Sequence, residues 1–286
     1  MATVLFDGVA YGMLLFLMAV GLSVTLGLMN FVNLAHGSFA MVGGYAASIA
    51  MNRWDVGFLP ALAGAFMAAA AVGAVLEVLL YRRLYRAGPL DQVLLSIGLV
   101  FVSIAACTWL FGTTMQPFQL PPWLDGRIDI TGLEVVRYRL FLIVCGGVVL
   151  AALLVGLGKT RYGAMVRAAV DNRRVAAGTG IHVPRLFFLT FSLGCGLAGL
   201  GGALSLGMLG LDPYFALRYL VVVLMVVCVG GAGTVTGPFI AALGIGIVDV
   251  AGKYYLPQAG SFPVYAAAIA LLLLRPDGIV RRKGIA

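Results

Sequence analysis

Long apolar runs alternate with short polar segments along the chain, and the runs fall at 9–29, 36–52, 57–80, 93–112, 140–157, 186–210, 216–230, 238–254 and 262–275. A helix needs about 20 mainly apolar residues to cross a bilayer core roughly 30 Å thick. The pattern predicts an all-α polytopic membrane protein of eight or nine transmembrane or partly re-entrant helices. The last three runs are short. The pair flanking GGAGTVTGPF, Gly230 to Phe239, reads either as two full spans or as broken, re-entrant helices, and either option leaves the chain ends on opposite sides.

Composition agrees. Of 286 residues, 62% are hydrophobic and 10% charged, with a mean hydropathy of +1.05, against about 25% charged in a soluble globular domain. The 39 glycines suit close helix packing within a membrane. No stretch reads as a separate water-soluble unit, so 1–286 is expected to be one membrane domain. MATVLFDGVA lacks the positive n-region of a cleavable signal, and the first span is expected to be retained. Cys107, Cys145, Cys195 and Cys228 lie in apolar runs without metal-ligand spacing, as buried free thiols do.

The formal charge of +8 suggests nucleic acid until its distribution is read. One set of loops holds Arg82, Arg83, Arg86, Lys159, Arg161, Arg167, Arg173, Arg174, Arg185, Arg275, Arg281, Arg282 and Lys283, 13 of the 19 cations. The other set holds Arg53, Arg127, Arg137, Arg139, Arg218 and Lys253 beside five carboxylates. Positive charge marks the cytoplasmic side, so the N-terminus is expected outside and the C-terminus inside. Trp54, Trp109, Trp123, Tyr254 and Tyr255 then fall at the outer boundary, as an aromatic belt does. Two loops are long: an outer one at about 113–138, whose RIDITGLEVVRY alternates like a small hairpin, and an inner one at about 158–185, read as a short surface helix stopped by Gly178, Gly180 and Pro184.

Glu77 and Asp249 are the carboxylates inside apolar runs. Each costs about 3 kcal/mol at a helix centre, so each has a reason to be there. Glu77 pairs with Arg82 at the boundary; Asp249 either pairs with Lys253 one turn on or lines a polar path. His36, in NFVNLAHGSF, either closes a break between the first two helices or lines a pathway. GGAGTVTGPF is either a tight turn or a break of the kind that marks a solute's route. GLGKT at Gly156 to Thr160 lacks the first glycine of a phosphate loop, since position 153 is Leu. No Ser/His/acid constellation and no metal cluster is visible, so no catalytic and no metal-binding residue is expected.

Three blocks in order carry a resemblance: GLMNFVNLAHGSFAMVGGYAA, KTRYGAMVRAAVDNRRVAAGTGIHVPRLFFLTFSLGCGLAGLGGAL and GGAGTVTGPFIAALGIGIVD. Together they resemble the permeases of branched-chain amino acid ABC importers, the LivH/LivM group, and the Ala-His-Gly signature resembles the LivH side. The resemblance implies an ATP-driven importer permease that moves a branched-chain amino acid or a related small polar solute from periplasm to cytoplasm across the bacterial inner membrane. It implies a second, LivM-type permease, two cytoplasmic ATPase subunits that hold the ATP and Mg, and a periplasmic binding protein. This chain itself would be no enzyme and bind no cofactor. By the same resemblance, Asp171, Asn172, Arg173, Arg174, Ala176, Ala177, Gly178 and Gly180 form the helix that docks on an ATPase, with Arg167, Arg173 and Arg174 against the ATPase or membrane lipid rather than nucleic acid.

The translocation path is expected to be lined by uncharged groups, Asn30, Asn33, His36 and Ser38 at the first break and Gly231, Gly233 and Thr234 at the second, with Asp249. A formal charge at the break would hold one end of an amino acid too tightly. The rival reading is a secondary transporter or channel working alone, with Asp249 or Glu77 carrying a proton or ion.

Overall fold

The computed structural model describes residues 1–29, 31, 33–85, 87–130, 133–276 and 278–280. Asn30, Arg86, Arg281, Arg282 and Lys283 of the expectations above lie outside them. Eleven helices occur among the described residues: α1 (Ala2–Met29), α2 (His36–Trp54), α3 (Phe58–Leu84), α4 (Pro89–Phe111), α5 (Arg137–Lys159), α6 (Arg161–Asp171), α7 (Arg173–Gly178), α8 (Val183–Ser205), α9 (Phe215–Gly230), α10 (Thr236–Tyr255) and α11 (Phe262–Leu274). The chain is an all-α polytopic membrane protein. Six helices, α1, α3, α4, α5, α8 and α10, are long and apolar enough to cross a bilayer. Helix α9 has 16 residues and α11 has 13, about 24 and 20 Å at 1.5 Å per residue.

All nine apolar runs are helical, and two boundaries moved in an informative way. Helix α1 starts at Ala2 rather than near residue 9, which brings Asp7 into the helix, where it pairs with Arg139 of α5. Asp7 thus joins Glu77 and Asp249 as a carboxylate within an apolar helix that is held in an ion pair. The inner loop holds two short helices rather than one. Asn172 divides them, its side chain accepting from the N–H groups of Arg174 (3.1 Å) and Val175 (3.0 Å) as an N-cap. Thr160 caps α6 in the same way through Gly163 N–H. The stop is made at Gly180, whose φ is +86°, while Pro184 lies inside the first turn of α8. At the other side Arg127–Ile130 (β1) and Leu133–Val136 (β2) form the expected antiparallel hairpin, with Arg127 opposite Val136.

Burial ranks the helices from centre to edge. The membrane windows of α1 and α8 are 83% and 67% buried, against 22% for α4 and 11% for α5. The most apolar of the six, α5, is thus the least covered, as suits a helix whose neighbour is lipid. Helix α1 packs along α10 and α8, and α8 also receives α2 and α3. Apolar side chains gain nothing by leaving lipid for protein, so these contacts rest on fit and close approach. At the α2–α8 crossing, Gly43 lies on Gly199 and Gly202 on the Ala40 carbonyl, so that a Cβ at any of the three has no room. Polar contacts also cross the bundle: the Tyr138 hydroxyl of α5 donates to the Leu204 carbonyl of α8 at 2.5 Å. Cys107 and Cys195 are buried free thiols, but Cys145 is only half-buried and Cys228 is exposed, because α9 has an uncovered face.

Gly202→Leu should lower the stability of the purified chain by at least the about 1–3 kcal/mol typical of overpacking, because its Cβ meets backbone rather than a movable side chain. Gly98→Ala, with no atom near its Cβ, should leave stability unchanged. Detergent-solubilised thermal unfolding of both variants checks the contrast.

Candidate functional site

The break between α1 and α2 is built on Asn33. Its Oδ1 accepts from the Ala35 N–H at 3.0 Å and from the Tyr81 hydroxyl at 3.0 Å. Tyr81 is fully buried at the end of a π-helical turn, Glu77–Tyr81, inside α3; such one-turn insertions often occur at functional sites. Asn33 Nδ2 and His36 Nε2 are buried and without a partner among the described residues. Buried polar groups are nearly always paired, and an unpaired one costs about 1–3 kcal/mol. His36 therefore does not close the break by a hydrogen bond from Nε2; its ring packs near Phe39, 6.2 Å between centroids. Ser38 faces another way, 2.7 Å from the Ser103 hydroxyl of α4.

The second glycine-rich stretch is a tight turn between α9 and α10, with positive φ at Gly231 (+91°) and Gly233 (+84°). Thr234 shapes it, donating to the Gly231 carbonyl and accepting from Gly237 N–H. The turn is pinned to α1: Ser23 donates to the Thr234 carbonyl at 2.9 Å, and Gly233 N–H donates to the Ser23 carbonyl at 3.0 Å. Asp249 is elsewhere. It lies 2.6 Å from Lys253 Nζ, in a cavity that also takes in Tyr11. Between Tyr11 and Gly27, which lies against Gly233, α1 rises about 24 Å at 1.5 Å per residue. The expected path residues are thus spread along α1 instead of meeting at one point.

Glu77 is 1% exposed, and both its oxygens are used, one by Arg82 at 3.1 Å and the other by the Tyr85 hydroxyl at 3.1 Å. Burial first, and the Glu77 carboxylate second, push the Tyr85 phenol well above its ordinary range, so it remains a donor. Gly156 to Lys159 are helical and Thr160 is a cap, which leaves no strand to precede a phosphate loop. No cluster of metal-binding side chains occurs among the described residues.

The inner loop presents a different surface. Of Arg173–Gly178, only Ala176 is buried, and Asp171, Asn172 and Gly180 are exposed beside it. Helix α6 rests on the bundle through Gly163, Val166 and Ala169, and Tyr162 shares a 2.6 Å hydrogen bond with Thr190 of α8. Burial raises the Tyr162 phenol, and that hydrogen bond opposes the rise only in part. Arg167 donates to the Leu157 carbonyl, tying α6 back to α5. The Arg173 guanidinium lies over Phe187, 4.3 Å from its centroid. From there ring contacts run through Tyr85 (5.8 Å) and Phe31 (6.0 Å) to Tyr81 (5.2 Å), and so to Asn33. Tyr81 and Tyr85 were not singled out in the sequence, because aromatic residues in LLYRRLYR read as boundary packing, whereas Phe31 lies within the NFVNLAHGSF stretch.

The family described as branched-chain amino acid transport system / permease component matches residues 4–274. The chain is 25% identical to the high-affinity branched-chain amino acid transport system permease protein LivH of Escherichia coli (strain K12), over 97% of this chain and 94% of that protein. It is 24% identical to the permease protein BraD of Pseudomonas aeruginosa, over 97% and 95%, and 26% identical to the probable LivH of Methanocaldococcus jannaschii, over 99% and 91%. No solved structure matches. Since nearly the whole helical bundle falls within the matched residues, the chain belongs to the family of permease components of branched-chain amino acid transport systems.

Proposed function

We propose that this chain is the inner-membrane permease subunit of an ATP-driven importer carrying branched-chain amino acids, or a related small polar solute, from periplasm to cytoplasm. It works beside a LivM-type permease, two ATPase subunits that hold ATP and Mg, and a periplasmic binding protein. The observation that carries the reading is α7. It is a preformed, capped helix with five of six residues exposed, on the side of the bundle where the loop cations concentrate. A helix of this kind, held off the bundle with only Ala176 turned inward, suits a groove on another chain. Its cations serve that partner and the lipid headgroups, with no role for nucleic acid.

Orientation follows from the same charges, N-terminus outside and C-terminus in the cytoplasm, with Trp54, Trp109, Trp123, Tyr254 and Tyr255 exposed toward the outer interface. Eight or nine helices enter the membrane, the short α9 and α11 only partly. ATP biases the inward and outward states through contacts that differ between them. Movement of α7 bears on α6 through the single residue Asn172 and on α8 through Arg173 and Phe187, and α8 lies at the centre of the bundle. At the break, Asn33 Nδ2 and His36 Nε2 supply uncharged polar atoms for a passing solute or its water, and the turn at Gly231, Gly233 and Thr234 flanks the same end of α1. Glu77 and Asp249 are each held in an ion pair, a poor arrangement for carrying a proton.

Two outcomes test this reading. Val175→Asp and Ala177→Asp alter exposed positions on α7, so the chain should still fold and reach the membrane while co-purification of the ATPases and solute uptake fall about tenfold or more; unchanged co-purification would count against docking there. At the break, His36→Gln and Asn33→Ala should both reduce uptake with the complex intact. Only Asn33→Ala should also lower thermal stability, by about 1–3 kcal/mol, because it strands the buried Tyr81 hydroxyl.

A further inference from the structure

Away from the glycine-rich turn, the N-terminal half of α1 and the adjoining ends of α9, α10 and α11 enclose a cavity of about 240 Å³. Charges of both signs meet there, Asp249 and Lys253 from α10 and Arg218 from α9. Tyr11, Tyr219 and Tyr265 add aromatic rings with hydroxyl groups, while Val222, Ile245 and Val264 supply aliphatic wall. Asp249 is held at 8% side-chain exposure, whereas Lys253 and Arg218 are half-exposed, at 53% and 48%. The volume lies just below the roughly 300–1,000 Å³ of most small-molecule sites, as suits a solute of amino-acid size.

We propose that this cavity is a receiving site for a zwitterionic amino acid with a branched aliphatic side chain. Its ammonium lies at Asp249, its carboxylate at Lys253 and Arg218, and its side chain against Val222, Ile245 and Val264. The proposal rests on the importer reading and deepens it. The deciding consideration is charge pairing. In the unliganded chain Lys253 Nζ lies 2.6 Å from Asp249 Oδ2, and Arg218 lies 2.5 Å from Asp212. A zwitterion inserted between Asp249 and Lys253 replaces one ion pair with two and leaves neither charge unpaired. A cation alone strands Lys253, and an anion alone strands the sheltered Asp249, an expensive outcome in a low-dielectric setting. A neutral amide offers neither charge a full partner. Lys253, half-exposed, can turn to the solute's carboxylate as the ammonium takes its place at Asp249, and Arg218 can donate from its other N–H groups while keeping Asp212.

A purely structural ion pair makes a different forecast, since replacing both partners of such a pair by neutral groups is usually tolerated. The test uses the complex co-purified with the tagged chain, reconstituted in liposomes with its binding protein, and follows initial uptake of L-leucine and L-alanine. The double variant Asp249→Asn/Lys253→Gln should assemble normally and lose leucine uptake about tenfold or more. Ile245→Phe, which fills the aliphatic side of the cavity, should lower leucine uptake severalfold more than alanine uptake. Full leucine uptake by the neutral pair overturns the site. If the double variant fails to assemble, Ile245→Phe decides, and an unchanged leucine-to-alanine ratio overturns the site. An unsubstituted complex that takes up neither leucine nor alanine overturns this site before any substitution is made, whereas the importer reading falls only if no ATPase subunit co-purifies with the tagged chain.

Discussion

Everything in this bundle depends on backbones meeting where side chains have been removed. Lipid competes with protein for apolar side chains on equal terms, so two membrane helices gain from contact mainly when they come closer to each other than lipid can. Gly43 on Gly199 and Gly202 on Ala40 set that distance for α2 and α8. From there α8 reaches α1 and α3, and α1 reaches α10. The consequence for function is a rigid centre with polar exceptions placed at its ends: Asn33 and His36 where α1 gives way to α2, the turn at Gly231–Thr234, and Asp249 beside Tyr11.

The two ends differ in how their polar groups are held. At Asn33 the partners are uncharged and buried, and two polar atoms are left over. At Asp249 the groups are charged, paired and half open to their surroundings. The ring contacts from Arg173 to Tyr81 join the surface that carries α7 to Asn33 through packed side chains and one hydrogen bond.

Much of this was legible along the chain because it is local. Apolar length marks a membrane helix: each of the nine runs holds a helix, and six helices are long and apolar enough to cross a bilayer. The pairs Glu77 with Arg82 and Asp249 with Lys253 follow from spacing along one helix. The hairpin followed from alternation. What escaped detection was of two kinds. Some was local but weak: Asn172 is an ordinary N-cap residue, yet a six-residue helix behind it carries too little pattern to separate from α6, and Asp7 sits where helix start and chain start coincide. The rest was non-local. Nothing near Tyr81 in sequence says that its hydroxyl meets Asn33, 48 positions away, and nothing near Arg218 says that it shares a cavity with Asp249.

The position of α1 has a consequence for how the protein is made. Helix α1 is the most thoroughly enclosed of the membrane-length helices in the finished bundle, yet its main partners α8 and α10 lie far downstream in the chain and are made long after it. Until they follow, α1 lacks the neighbours that cover it most. Thr25 is ready for this, since its hydroxyl donates to the Gly21 and Leu22 carbonyls of its own helix. Ser23 is not, for its acceptor is the carbonyl of Thr234, 211 residues later. The bundle therefore closes around α1 only when much later segments arrive, and the bond from Ser23 to Thr234 joins positions 211 residues apart.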